Sequence, residues 1–137
     1  LSFLLDTNIL SELRKGHRCH PGVARWFASI EEHEIYLSVL VIGEIRKGIE
    51  LMRRKDHDTA GRLESWLQQV VHDYNERILP VDQTVAEEWG RLNVPNPLPT
   101  VDGLLAATAK VSHLVLATRN VDDIKTTGVS YVNPFDA

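Results

Sequence analysis

The sequence predicts one α/β domain over residues 1–137, with a mostly parallel sheet flanked by helices. Three observations predict it. Short runs that are apolar at every position, Phe3-Leu4-Leu5 and Leu114-Val115-Leu116-Ala117, suit strands buried on both faces. Between them lie longer segments whose apolar residues recur at spacings of three and four, the period of helices that cover a sheet. Both runs stop abruptly at polar residues, Asp6-Thr7-Asn8 and Thr118-Arg119-Asn120. Open α/β sheets bind their ligands at the carboxyl ends of their strands, so these stops mark the edge where function belongs.

Composition narrows the class. A chain of 137 residues, 43% hydrophobic and 25% charged, carries enough apolar material for one core and is ordinary for a soluble globular domain. Its one cysteine, Cys19, excludes an internal disulfide and points to a reducing cytoplasm. The sequence opens without a basic-then-apolar leader, and no apolar run approaches transmembrane length, so no membrane partner is expected. A net charge of −4 argues against a surface coated for nucleic acid. Two basic groups nevertheless stand out: Arg46, Lys47, Arg53, Arg54 and Lys55, and then Arg14, Lys15 and Arg18. Each reads either as a patch that steers a phosphate backbone or as the solvated face of a helix.

Taken in order, Asp6 ends the first strand, where it either caps the next helix or serves a site. Thr7 and Asn8 suit a turn, and Ile9 to Leu13 a short helix ended by Lys15-Gly16. Gly16 to Gly22 is a loop by its Gly and Pro content. Its His17, Cys19 and His20 invite a zinc reading, but a second ligand pair at zinc-site spacing is missing. Val23 to Ile30 forms the next helix, with Trp26 and Phe27 in the core, and Ile35-Tyr36-Leu37 the second strand. Ser38 opens a helix over Val39 to Met52, whose apolar stripe is Ile42, Ile45, Ile49 and Met52. Glu44 lies off that stripe, about 100° round from Ile45 at helical pitch. Its next-turn neighbours are Leu40 and Gly48, so its own face is also largely apolar. A carboxylate buried there needs a cation or a hydrogen-bond donor; the alternative is an exposed Glu paired with a nearby Lys or Arg.

Asp56-His57-Asp58-Thr59 breaks the chain and supplies caps. Leu63, Trp66, Leu67, Val70, Val71 and Tyr74 then repeat at i, i+3, i+4, i+7, the clearest amphipathic helix of the sequence. It reads as scaffold, with Trp66, Leu67, Val70 and Tyr74 able to serve an interface instead. Ile78 to Val81 is a short strand, and Asp82 caps a helix through Val85, Trp89 and Leu92. Three prolines at alternating positions make Asn93 to Pro99 a connector. Thr100-Val101-Asp102-Gly103 leads into Leu104 to Ala109, apolar or small on nearly every face and therefore a buried helix. Asp102 stands at its mouth, where a negative charge suits the helix dipole, as cap or as part of a site. After the strand Leu114 to Ala117, Val121 to Ile124 forms a helical turn and Val129 to Val132 the last strand.

The acids make chemical sense together. In a parallel sheet the first and fourth strands can end at one edge, carrying Asp6 and Asn120, with Asp102 and Glu44 on the helices that flank them. Several carboxylates within a few ångströms raise one another's pKa unless a cation enters. Hard oxygen ligands select Mg²⁺, with Mn²⁺ as the alternative, and such a metal activates water and polarises a phosphoryl oxygen. The expected chemistry is phosphodiester hydrolysis.

Leu5-Asp6-Thr7-Asn8, Leu37-Ser38-Val39 followed by Gly43-Glu44-Ile45, Val101-Asp102-Gly103 before Ala106-Ala107-Thr108, and Ala117-Thr118-Arg119-Asn120 resemble the ordered motifs of the PIN-domain family. The whole chain is similar to the VapC/FitB-type toxins of bacterial toxin–antitoxin pairs, including Leu79-Pro80-Val81-Asp82, Trp89-Gly90-Arg91-Leu92 and Asn133-Pro134-Phe135. The resemblance implies a compact α/β/α sandwich, Mg²⁺-dependent ribonuclease activity on RNA, a homodimer, and a VapB/FitA-type antitoxin that blocks the site and through which alone DNA is met. It also implies that Asp6, Glu44 and Asp102 bind the metal. The fourth position falls to Asn120 or to Asp123, since family members carry an Asp at the first or an Asn there with an Asp shortly after.

Two other classes compete. A phosphoacceptor receiver domain is also doubly wound, but needs adjacent acids at the first strand's end, where this chain has Thr7 and Asn8 after Asp6. A PIN-like scaffold that binds RNA or protein without cutting draws its support from Asn120 in place of an acid.

Overall fold

A computed structural model describes all residues, 1–137. Five parallel strands lie in the order β3-β2-β1-β4-β5. They are β1 (Phe3–Leu5), β2 (Ile35–Ser38), β3 (Ile78–Leu79), β4 (Val115–Ala117) and β5 (Tyr131–Val132). Seven helices connect them: α1 (Thr7–Leu13), α2 (Pro21–Ala28), α3 (Val39–Arg53), α4 (His57–Asp73), α5 (Gln83–Leu92), α6 (Thr100–Val111) and α7 (Val121–Ile124). This is the α/β/α sandwich expected from the alternation of apolar runs and amphipathic segments. None of the helices is long and apolar enough to cross a membrane.

The strand order places the functional edge. The chain builds outward from β1 to β2 and β3, then returns past β1 to add β4 and β5 on its other side. Neighbouring strands β1 and β4 therefore feed helices in opposite directions, which opens a crevice beyond their carboxyl ends. Register fixes that crevice: Leu4 pairs with Leu116 and Leu5 with Ala117, and the Asp6 N–H continues the ladder to the Ala117 carbonyl at 2.9 Å. Leu4, Leu5, Leu37 and Leu116 are buried beneath it, so the floor is rigid.

Several boundaries differ from the sequence expectation, each for a local reason. Helix α1 begins at Thr7, because Asp6 caps it by accepting the Thr7 N–H at 2.7 Å, and no turn intervenes. Helix α2 spans Pro21–Ala28, with proline at its first position and the His20 Nδ1 accepting the Gly22 N–H at 3.1 Å. The same bond gives His20 a structural role, unlike the zinc ligand considered for its loop. Trp26 and Phe27 flank the core without being fully inside it; Trp26 meets Phe3 edge-on at 5.2 Å. On α3 the fully buried line is Val41, Ile45 and Ile49, with Ile42 and Met52 half-buried beside α4. Leu67 and Val70 of α4, and Tyr74 just after it, belong to the core, with Trp66 half-buried beside them. Helix α6 starts at Thr100, four residues before the apolar run that signalled it. Strands β3 and β5 are two residues long, as edge strands often are.

Two of the five residues in the larger basic group, Arg46 and Arg53, are held in ion pairs. Both terminal guanidinium nitrogens of Arg46 donate to Glu64 at 2.6 Å, and Arg53 pairs with Glu50 and Glu64. In the smaller group Lys15 pairs with Glu12 at 2.9 Å, and Arg14 lies 5.9 Å from the Trp66 ring.

Candidate active site

The crevice above β1 and β4 is an open pocket of about 560 Å³, lined by Asp6, Glu44, Asp102 and Asn120 among others. Asp6 is only 6% exposed. Its Oδ1 accepts the Thr7 N–H and its Oδ2 accepts the Thr118 hydroxyl at 2.7 Å, so the residue is both a helix cap and a pocket wall. The Thr118 hydroxyl also accepts the Asn120 N–H at 3.0 Å, which ties the end of β4 to the acid at the end of β1. Asp102 is the third residue of α6, inside its first turn. Pro99 precedes the helix and Asp102 makes no capping bond, which leaves the half-buried carboxylate facing the pocket. Glu44 is exposed, unlike the buried acid its apolar neighbours suggested. Its partner is the Thr7 hydroxyl, which donates to Oε1 at 2.5 Å, rather than a basic side chain. Asp123, on α7, is exposed and outside the pocket lining, yet near enough to Asp102 to act on its charge.

Electrostatics follow from this crowding. Burial pushes the Asp6 pKa up; the Thr118 and Thr7 donors pull it back, and the Glu44 charge adds to the rise. Burial also raises Asp102, followed by the charge of Asp6; the Asn120 side chain opposes the shift, while Asp123 and Glu44 reinforce it. Two carboxylates held high by burial and by neighbouring acids form a site that gains from a cation.

The donor set fits a hard divalent metal. It consists of carboxylate and amide oxygens without sulfur or imidazole, the chemistry of Mg²⁺ or Mn²⁺. Asn8 lines the same pocket, and its buried Oδ1 has no hydrogen-bond partner, so a positive neighbour would satisfy it. No three His, Cys, Asp or Glu side chains stand close enough together to hold a metal ion directly. Unneutralised carboxylates repel one another, and Mg²⁺ keeps waters that reach across such gaps.

Sequence reading did not single out the residues that hold the acids in place. Thr7 and Thr118 are visible only as polar residues after strands; their bonds to Glu44 and Asp6 span 37 and 112 positions. Arg119 and Phe135, also in the pocket lining, come together only because β4 and the last turn of the chain are neighbours.

The PIN domain pattern matches residues 3–128, and the chain belongs to the PIN-domain family. Within that class, toxin FitB of Neisseria gonorrhoeae is 31% identical over 139 residues, which cover 96% of this chain and 97% of that protein. VapC ribonuclease Y4jK of Sinorhizobium fredii is 28% identical, with 97% of each covered. Among solved structures, FitAcB from Neisseria gonorrhoeae superposes with a TM-score of 0.90 at 29% identity, covering 98% of this chain and 99% of that one. A toxin–antitoxin complex from Klebsiella pneumoniae gives 0.74 at 26% identity, covering 97% of this chain and 98% of that one.

Proposed function

We propose that this chain is the toxin of a type II toxin–antitoxin pair and acts as a Mg²⁺-dependent endoribonuclease. One observation carries the reading: Asp6 and Asp102, both raised by burial and by neighbouring charge, share an open pocket with Glu44 at the strand-order switch. The likeness to a protein named a VapC ribonuclease and to a toxin–antitoxin complex supports the same reading.

Asp6, Glu44 and Asp102 would hold the metal. Bound there, Mg²⁺ would supply Lewis acidity toward the phosphoryl oxygen and would lower the pKa of a bound water. The protein's part is positioning. Thr118 and Thr7 fix both oxygens of Asp6, and the Thr7 hydroxyl also holds Glu44, so one short segment orients two of the three acids. Asn120 contributes a neutral amide beside Asp102, able to orient a water without adding charge to an already crowded site. Asp123 is the remaining candidate for that fourth role.

An antitoxin of the VapB/FitA type would inhibit through an Arg that pairs bidentately with these acids in place of the metal. The chain would meet DNA only through that partner. A homodimer in the cytoplasm completes the reading, and a sedimentation run at micromolar concentration that gives only monomer contradicts that assembly. A non-cutting scaffold is the second reading, favoured by Asn120 where an acid would strengthen metal binding. Purified protein separates the two: cleavage of RNA with Mg²⁺, abolished by EDTA, is expected. RNA left intact by soluble, folded protein with Mg²⁺ or Mn²⁺ contradicts the nuclease.

A further inference from the structure

The carboxylate pocket poses a problem for its own substrate. A polynucleotide brings one negative charge per phosphate, and Asp6, Glu44 and Asp102 repel it. Productive binding needs a cation nearby that is not already neutralised. Lys15 lines the pocket but pairs with Glu12 at 2.9 Å. The other basic side chain in the lining is Arg119, and none of the molecule's ion pairs engages it. Its guanidinium instead sits 4.4 Å from the centre of the Phe135 ring. That stacking holds the planar group while leaving its N–H donors free.

The platform beneath it is built. The Phe135 N–H donates to the Asn133 side chain at 3.0 Å, and the ring also meets His20 at 4.9 Å. The turn that carries Phe135 packs directly on α2 at Gly22. A Cβ there would meet the Pro134 carbonyl at 2.7 Å and the Phe135 carbonyl at 3.0 Å, so only glycine permits this approach. Arg25 fastens the same turn by donating to the Ala137 carbonyl at 2.6 Å. Arg119 itself follows Thr118, whose hydroxyl bonds Asp6, so its backbone is fixed to the acid site.

We propose that Arg119, seated on Phe135 at the rim of the carboxylate pocket, anchors a backbone phosphate of single-stranded RNA next to the one cleaved. This deepens the ribonuclease reading and rests on it. Arg119 is here a positioning residue. It acts on where the chain lies, and the acids carry the chemistry.

The test measures binding of a labelled, mixed-sequence single-stranded oligoribonucleotide in EDTA, over a range of salt. Replacing Arg119→Gln should weaken binding about tenfold, the scale of one charge-assisted contact. The slope of log K against log salt should fall by about 0.7, the value for one phosphate of a single strand. Arg119→Lys keeps the charge and should keep the slope. Phe135→Leu keeps the slope with weaker binding, because the cation remains but loses its seat. With Mg²⁺ and cleavable RNA, Arg119→Gln should raise KM with kcat little changed. Equal affinity and slope for wild type and Arg119→Gln, with unchanged melting temperature, overturns the anchor; so does a wild type that fails to bind the oligomer. Cleavage is scored separately. A wild type that shows the slope difference but never cuts RNA supports the anchor and refutes the nuclease; cutting with no slope difference does the reverse.

Discussion

Asp6 is buried with both oxygens accepting hydrogen bonds, and those two donors are what make its charge tolerable. Thr118→Val tests this with almost no change of shape. It removes the donor to Oδ2 and leaves the Asn120 N–H without its acceptor. The loss expected in urea melts at neutral pH is about 1–3 kcal/mol, the cost of leaving a buried polar group unpaired. The effect should shrink in acid. The Asp6 pKa lies above its unfolded value, and the substitution raises it further, so folding is least burdened by this group below the unfolded pKa and most burdened above the folded one. A penalty that grew on acidification would contradict the account. Glu64 has the opposite sign. Arg46 and Arg53 hold its carboxyl down to about 2, so its contribution is present above the unfolded value of 4.5 and lost as pH falls through about 2. Glu64→Gln should therefore lower the melting temperature at neutral pH by a margin that vanishes toward pH 2, as scanning calorimetry would read. An equal margin at every pH would contradict the pairing.

Among elements, α6 is closely constrained beside the site. Gly103 follows Asp102, and a Cβ there would meet the Trp89 ring at 3.1 Å and the Leu98 Cβ at 3.3 Å. Trp89 and Leu98 must both shift by a few tenths of an ångström to admit it, and Gly103→Ala should cost about 1–3 kcal/mol as overpacking does. It should also displace Asp102 and lower cleavage more than the loss of stability alone explains, with chemical denaturation as the check on stability. The start of this helix was hidden in the sequence, since Thr100, Val101 and Asp102 carry no apolar period. The strand ends were legible because a carboxylate after Phe3-Leu4-Leu5 breaks a hydrophobic run that nothing else interrupts. Glu44 was legible as an acid off the buried stripe, whereas the choice between a buried and an exposed carboxylate stayed open, since neighbours on a helix do not reveal what faces them across space. Thr7, Thr118 and the Arg119–Phe135 pair stayed hidden because their partners lie far along the chain.

At the scale of the molecule, strand order does the assembling: β1 and β4 are adjacent, and their ends bring Asp6, Asn120 and the first turn of α6 to one crevice. Fold class was therefore enough to group the acids, while the hydrogen bonds that orient them join residues too far apart along the chain to be read from sequence. The reading that joins fold to function is that the grouped acids cleave RNA with a divalent metal. Expressing wild type and Asp6→Asn in bacteria at matched soluble levels, and following growth together with RNA integrity, tests it most directly. Asn keeps the size of the side chain, removes a buried charge and relieves repulsion from Glu44, so the metal-free variant should be as stable as wild type or more so. Its metal affinity should fall, because a neutral amide oxygen replaces a charged ligand. Wild type should arrest growth and cut RNA while Asp6→Asn does neither. Equal toxicity and equal cleavage from both would contradict it.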